Sequence, residues 1–324
     1  MSSSEVIALE ENFLNPNDAK LVFTSTRMNP PTPGHLLLIS KLILEGIAQG
    51  TNEVYIVLSK KNTDIDNPMQ DCQRKIYFLN GQDSDNMVNA LKRKMISEET
   101  DETIKQKIQD MNVIFRCVTA TQAGPFNMVG SIIYEKLQRF PADANGVLDI
   151  VLLVGDDRQN TAKAMRAALK IDNIPAVRSF DEKILSREGG VSLSKMPIEE
   201  LEGMDMSAIP PSQISASLIR KLAYNKGLKN KFMDVYSDFL STSKKEELYN
   251  DVLSGYDTVM AAKASAPSRA RGTVKKTITK EPSSTTTRKA RSSGGTRKKG
   301  IAPIKIKIKI KIKEGKLDAI NCLF

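Results

Sequence analysis

Five short apolar runs recur along the first 180 positions of this chain, and they leave it few folds to choose from. They are Leu21-Val22-Phe23, Glu53-Val54-Tyr55-Ile56-Val57-Leu58-Ser59, Asn112-Val113-Ile114-Phe115-Arg116-Cys117-Val118, Leu148-Asp149-Ile150-Val151-Leu152-Leu153-Val154 and Ala176-Val177-Arg178-Ser179-Phe180. Most are near-continuous rather than alternating, as expected of strands covered on both faces. Between them lie stretches with helical spacing, at 35–44, 71–79, 85–97, 126–140 and 158–170, and a charged, helix-compatible stretch at 98–110. Strands alternating with helices predict an α/β fold, a parallel five-stranded sheet with helices on both faces. Ligands of such sheets bind outside the carboxyl ends of the strands.

Composition divides the chain in two. Of 48 Lys and Arg and 38 Asp and Glu, residues 261–324 hold 18 and 3, a net of +15, which leaves residues 1–260 with 30 and 35, a net of −5. From about 261 to 300 Ser, Thr, Lys, Arg, Gly and Pro dominate, too few apolar groups to build a core. Ile304-Lys305 then repeats five times, to Lys313. The expected organisation is a loose lead-in at 1–20, a folded body at 21–255, a disordered linker at 256–303 and the Ile-Lys tail at 304–324. The tail's charge suits nonspecific contact with nucleic-acid phosphates or an anionic surface. Without aromatic residues between Ala261 and Cys322 it offers no base stacking. No apolar run of 18 residues predicts a membrane span, and the first eleven residues lack the pattern of a signal peptide. Three scattered cysteines and one histidine argue against structural zinc and for a reducing compartment. A cytoplasmic chain is expected, with Arg297-Lys298-Lys299 as a candidate nuclear-import signal.

The candidate chemistry begins at the end of the first strand, in Thr26-Arg27-Met28-Asn29-Pro30-Pro31-Thr32-Pro33-Gly34-His35. Prolines fix a tight loop, and a helix follows. A helix start presents unpaired N–H groups and a partial positive charge to a phosphate. Thr32 and His35, the only histidine, can hydrogen-bond phosphate oxygens, and Gly34 lets a substrate approach the backbone. A second candidate, Ser215-x-Ser217-x-x-Arg220, puts two hydroxyls and a guanidinium at another helix start. It reads as a phosphate clamp or, more plainly, as an N-cap serine beside a surface arginine. Gly155-Asp156 ends the fourth strand, so a further loop reaches the same edge of the sheet.

Taken together, Thr32-Pro33-Gly34-His35 and Ile214-Ser215-Ala216-Ser217-Leu218-Ile219-Arg220 resemble the H/T-x-G-H and ISSTxxR motifs of the nucleotidyltransferase superfamily related to class I aminoacyl-tRNA synthetases, and Asn29-Pro30-Pro31-Thr32 resembles the NPPTxGH form common among its phage and large-virus members. Asn67-Pro68 with Arg74, and Gly155-Asp156, resemble further segments of that family. The likeness covers about residues 20–225; Thr26 and Met28 depart from the family's glycine and aromatic residue. It implies a Rossmann-like sheet ordered 3-2-1-4-5 and transfer of a nucleoside monophosphate from ATP, or CTP, to a phosphate-bearing small molecule, with pyrophosphate released. The closest analogy is nicotinamide-nucleotide adenylyltransferase, although the chain has no tryptophan to stack a nicotinamide. His35 would stabilise the α-phosphate, Thr32 would touch phosphate, and Ser217 and Arg220, with Ser215 at the helix start, would hold the leaving pyrophosphate. Arg27 and Lys60 or Lys61 would add positive charge. Mg2+ would be held through substrate phosphates, with no ligand from the protein. The alternative is a non-catalytic nucleotide fold docking on nucleic acid through its tail.

Overall fold

A computed structural model describes residues 20–59, 64–118, 124–141, 143–155, 158, 160–185 and 193–265. All five expected strands form: β1 (Lys20–Thr26), β2 (Glu53–Leu58), β3 (Asn112–Cys117), β4 (Leu148–Gly155) and β5 (Val177–Leu185). They make one sheet in the order β3-β2-β1-β4-β5 with every neighbouring pair parallel, the Rossmann-like arrangement expected. The helices are α1 (Pro33–Gln49), α2 (Cys72–Asn80), α3 (Met87–Glu98), α4 (Glu102–Asp110), α5 (Pro125–Leu137), α6 (Thr161–Ala168), α7 (Ile198–Gly203), α8 (Ala216–Tyr224), α9 (Lys229–Val235) and α10 (Thr242–Ser265). Among the described residues no helix is long and apolar enough to cross a membrane.

The continuous apolar runs resolve into two cores because alternate strand residues face opposite ways. Val22, Ile56 and Leu153 pack with Ile39 and Ile43 of α1, Phe78 of α2, Met87 of α3, Leu222 of α8, Phe232 of α9 and Leu248 of α10. Leu21, Phe23, Val57 and Leu152 pack with Val129, Ile132 and Ile133 of α5 and Met165 of α6. At about 1.5–3 kcal/mol for each fully buried large side chain, these faces outweigh any local helix propensity. Chain order reverses direction at β1, which pairs with β2 on one side and β4 on the other. In sheets of this kind ligands bind beyond the carboxyl ends of the strands at such a reversal, here β1 and β4.

Several boundaries differ from expectation, three of them for a clear physical reason. β5 continues through Asp181, Glu182 and Lys183 to Leu185, because an edge strand leaves one side to water. The charged stretch at 98–110 becomes a separate helix from Glu102, since Asp101 accepts the Thr103 and Ile104 amides and restarts the ladder. α10 runs to Ser265, so residues 256–265, expected to be linker, are helical. Its second half is anchored by the Tyr256 ring stacked on Tyr224, centroids 4.0 Å apart, and by buried Val259. Residues 1–19 and 266–324, with the expected lead-in, the rest of the linker and the Ile-Lys tail, lie outside the described residues.

Cys72, the first residue of α2, is disulfide-bonded to Cys117, the last of β3. Their spacing does not announce this bridge, and a bridge is at odds with the reducing compartment expected from cysteine usage.

One buried ion pair ties β2 to α5. Glu53 accepts from Lys136, whose side chain is 2% exposed, and from the Tyr55 hydroxyl at 3.0 Å. Burial alone would raise the Glu53 pKa, but the Lys136 hydrogen bond and charge hold it below the ordinary 4.5. Its contribution is therefore complete above that ordinary value and is lost as pH falls through it and below. Glu53→Gln leaves a buried ammonium without its counter-charge, at a cost of about 3 kcal/mol. We expect a thermal midpoint lower by roughly 10 °C at pH 7, with the gap from the native protein closing below about pH 4, by calorimetry.

Candidate functional site

The chain leaves the sheet after Thr26, whose carbonyl accepts the Ser59 amide at 2.9 Å. Arg27 is exposed at this edge. Met28 turns into the core, 1% exposed with a left-handed φ of 43°. Asn29 then uses its carboxamide as a backbone would. Its Nδ2 donates to the Met69 carbonyl at 2.8 Å, and its Oδ1 accepts the Met69 amide at 3.0 Å. The loop after Asn67-Pro68 is thereby fastened to the first loop. The Asn29–Pro30 peptide is cis.

Three carbonyls of the first loop are held by side chains from two helices and the residue that follows a third. Lys75 Nζ of α2 donates to the Arg27 oxygen at 3.0 Å. Arg220 Nη1 of α8 donates to the Asn29 oxygen at 2.9 Å. The Tyr236 hydroxyl, just after α9, donates to the Pro31 oxygen at 2.6 Å. These bonds satisfy backbone acceptors that would otherwise need water.

Thr32 and His35 form a reciprocal cap at the start of α1. The His35 amide donates to Thr32 Oγ1 at 3.3 Å, and the Thr32 amide donates to His35 Nδ1 at 3.1 Å. Thr32 Oγ1 lies 2.9 Å from the same ring nitrogen. An Nδ1 that accepts an amide proton carries none itself, so the neutral imidazole is the Nε2–H tautomer. This changes the part assigned to Thr32. At 1% exposure, with its hydroxyl engaged, it orients the imidazole rather than touching phosphate.

Gly34 is also reassigned. A Cβ there would meet the Ile214 carbonyl oxygen at 2.4 Å and that of Pro211 at 3.1 Å. The space a Cβ would take at Gly34 is filled by the chain's own second motif. The same contact brings the two motifs, 180 residues apart, onto one edge of the sheet.

In the second motif, Ser215 is the N-cap of α8, its Oγ accepting the Leu218 amide at 3.2 Å. The plain reading holds for it. Ser217 Oγ instead accepts from Arg220 Nη2 at 3.0 Å. The Arg220 side chain is 12% exposed, and the same Nη2 reaches Asp66 Oδ1 at 3.3 Å. Burial lowers the Arg220 pKa against the pull of Asp66, and the guanidinium keeps its charge. Asp66 belongs to a turn closed by Asp64, which accepts the Asp66 amide at 2.9 Å and Asn67 Nδ2 at 2.7 Å. Tyr224 pins the turn by donating to the Ile65 carbonyl at 2.6 Å.

The structure thus brings Arg27, Thr32, Gly34, His35, Ser215, Ser217 and Arg220 to one place. Gly155 ends β4 on the same edge, paired with Leu185 of β5. Lys60, Lys61 and Asp156 lie outside the described residues. Arg74, part of the family likeness, turns away to Asp251 and Glu247 of α10, at 2.5 and 2.8 Å. Sequence reasoning missed Lys75, Asp66 and Tyr236. It also missed Arg158, whose Nη1 lies 3.4 Å from the Ser25 carbonyl. Lys75 carried a signal, as it sits three residues after Cys72 and three and four before Phe78 and Leu79, an apolar spacing on α2. Arg27, Lys75, Arg158 and Arg220 surround the end of β1 with cationic groups, suited to a polyanion. Among the described residues no cluster of His, Cys, Asp and Glu is placed to hold a metal ion.

Compared with protein-family models, curated proteins and solved structures, the chain matches none of them.

Proposed function

We propose that this chain is a nucleotidyltransferase that moves the nucleoside monophosphate of ATP, or of CTP as the alternative, onto a phosphate-bearing small molecule. The observation that carries the reading is the meeting of the two motifs at the end of β1, through Gly34 against Ile214 and Arg220 on the Asn29 carbonyl. An oxygen of the acceptor phosphate attacks the α-phosphorus. The bond to the bridging oxygen breaks, and pyrophosphate leaves with that electron pair. His35 donates from Nε2 to charge developing on the α-phosphate, its tautomer held by Thr32. Arg220, held by the Asn29 carbonyl, takes the β- and γ-phosphates together with Ser217. Catalysis then rests on positioning and electrostatics, without a covalent enzyme intermediate. Mg2+ would be held through the triphosphate oxygens, as suits an ion that keeps much of its water.

A pyrophosphate-release screen tests the reading, crossing ATP and CTP with nicotinamide mononucleotide, phosphopantetheine, phosphocholine and sugar phosphates. Release with one pairing is the expected result; no turnover anywhere with folded protein overturns it. A second measurement addresses Asp66, whose carboxylate occupies the guanidinium that a phosphate would take. Asp66→Asn is expected to tighten inorganic pyrophosphate binding about fivefold, the scale of one exposed ion pair, by calorimetry. Weaker binding would instead make Asp66 a support for Arg220.

A further inference from the structure

We propose that Lys75 is a positioning residue, holding the 27–32 loop in its phosphate-facing form through the Arg27 carbonyl; this rests on reading that loop as the triphosphate site. Lys75 is 3% exposed, on the face of α2 that also buries Phe78 and Leu79. Its Nζ donates to the Arg27 oxygen at 3.0 Å. Burial pushes its pKa down to about 8, with Asp71, the N-cap of that helix, opposing. An ammonium buried with one neutral acceptor is a poor stabilising element, and an apolar side chain of the same length serves packing as well or better. Its presence is accounted for by what it holds. The Arg27 carbonyl belongs to the peptide plane entering Met28, the non-glycine residue at φ 43°. Left-handed backbone is disfavoured for such a side chain. Fixing that plane fixes both the exit from β1 and the direction in which exposed Arg27 leaves the sheet.

The test is Lys75→Met in the full-length chain, with three readouts: thermal midpoint, hydrogen exchange of the peptide covering 27–36, and affinity for inorganic pyrophosphate. Expected are an unchanged or higher midpoint, exchange at least tenfold faster in that peptide alone, and affinity about tenfold weaker. A lower midpoint with exchange and affinity unchanged would make Lys75 a packing residue and overturn the proposal. Exchange is read without ligand, so it decides the role of Lys75 even if the native protein binds no pyrophosphate, a result that counts against the nucleotidyltransferase reading instead. Native binding with an unaltered Lys75→Met affinity and unaltered exchange overturns the Lys75 inference alone.

Discussion

Pyrophosphate release by His35→Ala is expected to fall by about 10²–10³-fold, the effect of removing one donor aimed at charge that develops in a transition state. His35 is the one imidazole in the chain, and Thr32 fixes its tautomer through two contacts at Nδ1. Alanine removes the Nε2 donor and also half of the reciprocal cap on α1. The cap accounts for about 1 kcal/mol of stability, so the variant remains folded and its activity can be compared fairly. Initial rates with the nucleotide and acceptor found by screening make the measurement, alongside a melting curve. An unchanged rate in a folded variant would remove His35 from the chemistry. Thr32→Val is the companion variant. It keeps the imidazole and drops the hydroxyl, so a smaller loss there separates orientation of the ring from its action.

Gly34→Ala is expected to lose stability, against the rule for helices. In an uncrowded helix, glycine to alanine gains up to about 1 kcal/mol. Here the new Cβ would stand 2.4 Å from the Ile214 carbonyl and 3.1 Å from that of Pro211, both main-chain atoms that cannot swing aside. Either α1 or the Pro211–Gln213 turn must shift, at a net cost of about 2–3 kcal/mol. A chain of this size would then melt some 5–10 °C lower. The shift also draws Ser217 and Arg220 away from the first loop, so pyrophosphate binding is expected to weaken with it. A midpoint equal to or above that of the native protein would mean that the two motifs are not in the contact described.

The strands were recoverable from residues alone because burial on both faces demands near-continuous apolar runs, which few other structures require. The order 3-2-1-4-5 came from the family likeness, and the sheet has that order. Ends were less accessible. α10 passes 255 to Ser265 although Gly255 sits in its middle, where glycine ordinarily weakens a helix. The reason is tertiary, since a Cβ at Gly255 would stand 2.0 Å from the Pro68 carbonyl. The helix crosses the loop after Asn67-Pro68 at a distance only glycine permits, and stacking of Tyr256 on Tyr224 continues the contact.

Within the candidate site, residue types were visible and their tasks were not. Ser215 and Thr32 both suggested phosphate contacts, yet each hydroxyl closes a helix start, a use set by three-residue spacing. Arg74, noted only for its place in a family-like segment, binds Asp251 and Glu247 of α10. Lys75, next to it, points the other way, to the first loop.

Periodicity and turn chemistry therefore settle where strands and helices form, that they stack as a parallel sheet, and that the basic tail stands apart in composition. These are local properties, written in side-chain spacing along the chain. The fit of Gly34 to Ile214, the Asp66–Arg220 pair, the Cys72–Cys117 bridge and the hold of Lys75 on Arg27 join residues 45 to 180 positions apart. The motif likeness implied only that the two motifs share a site, and side-chain spacing does not encode such meetings. They follow from how far each helix must tilt and slide before its apolar face is covered, which packing against the sheet alone decides.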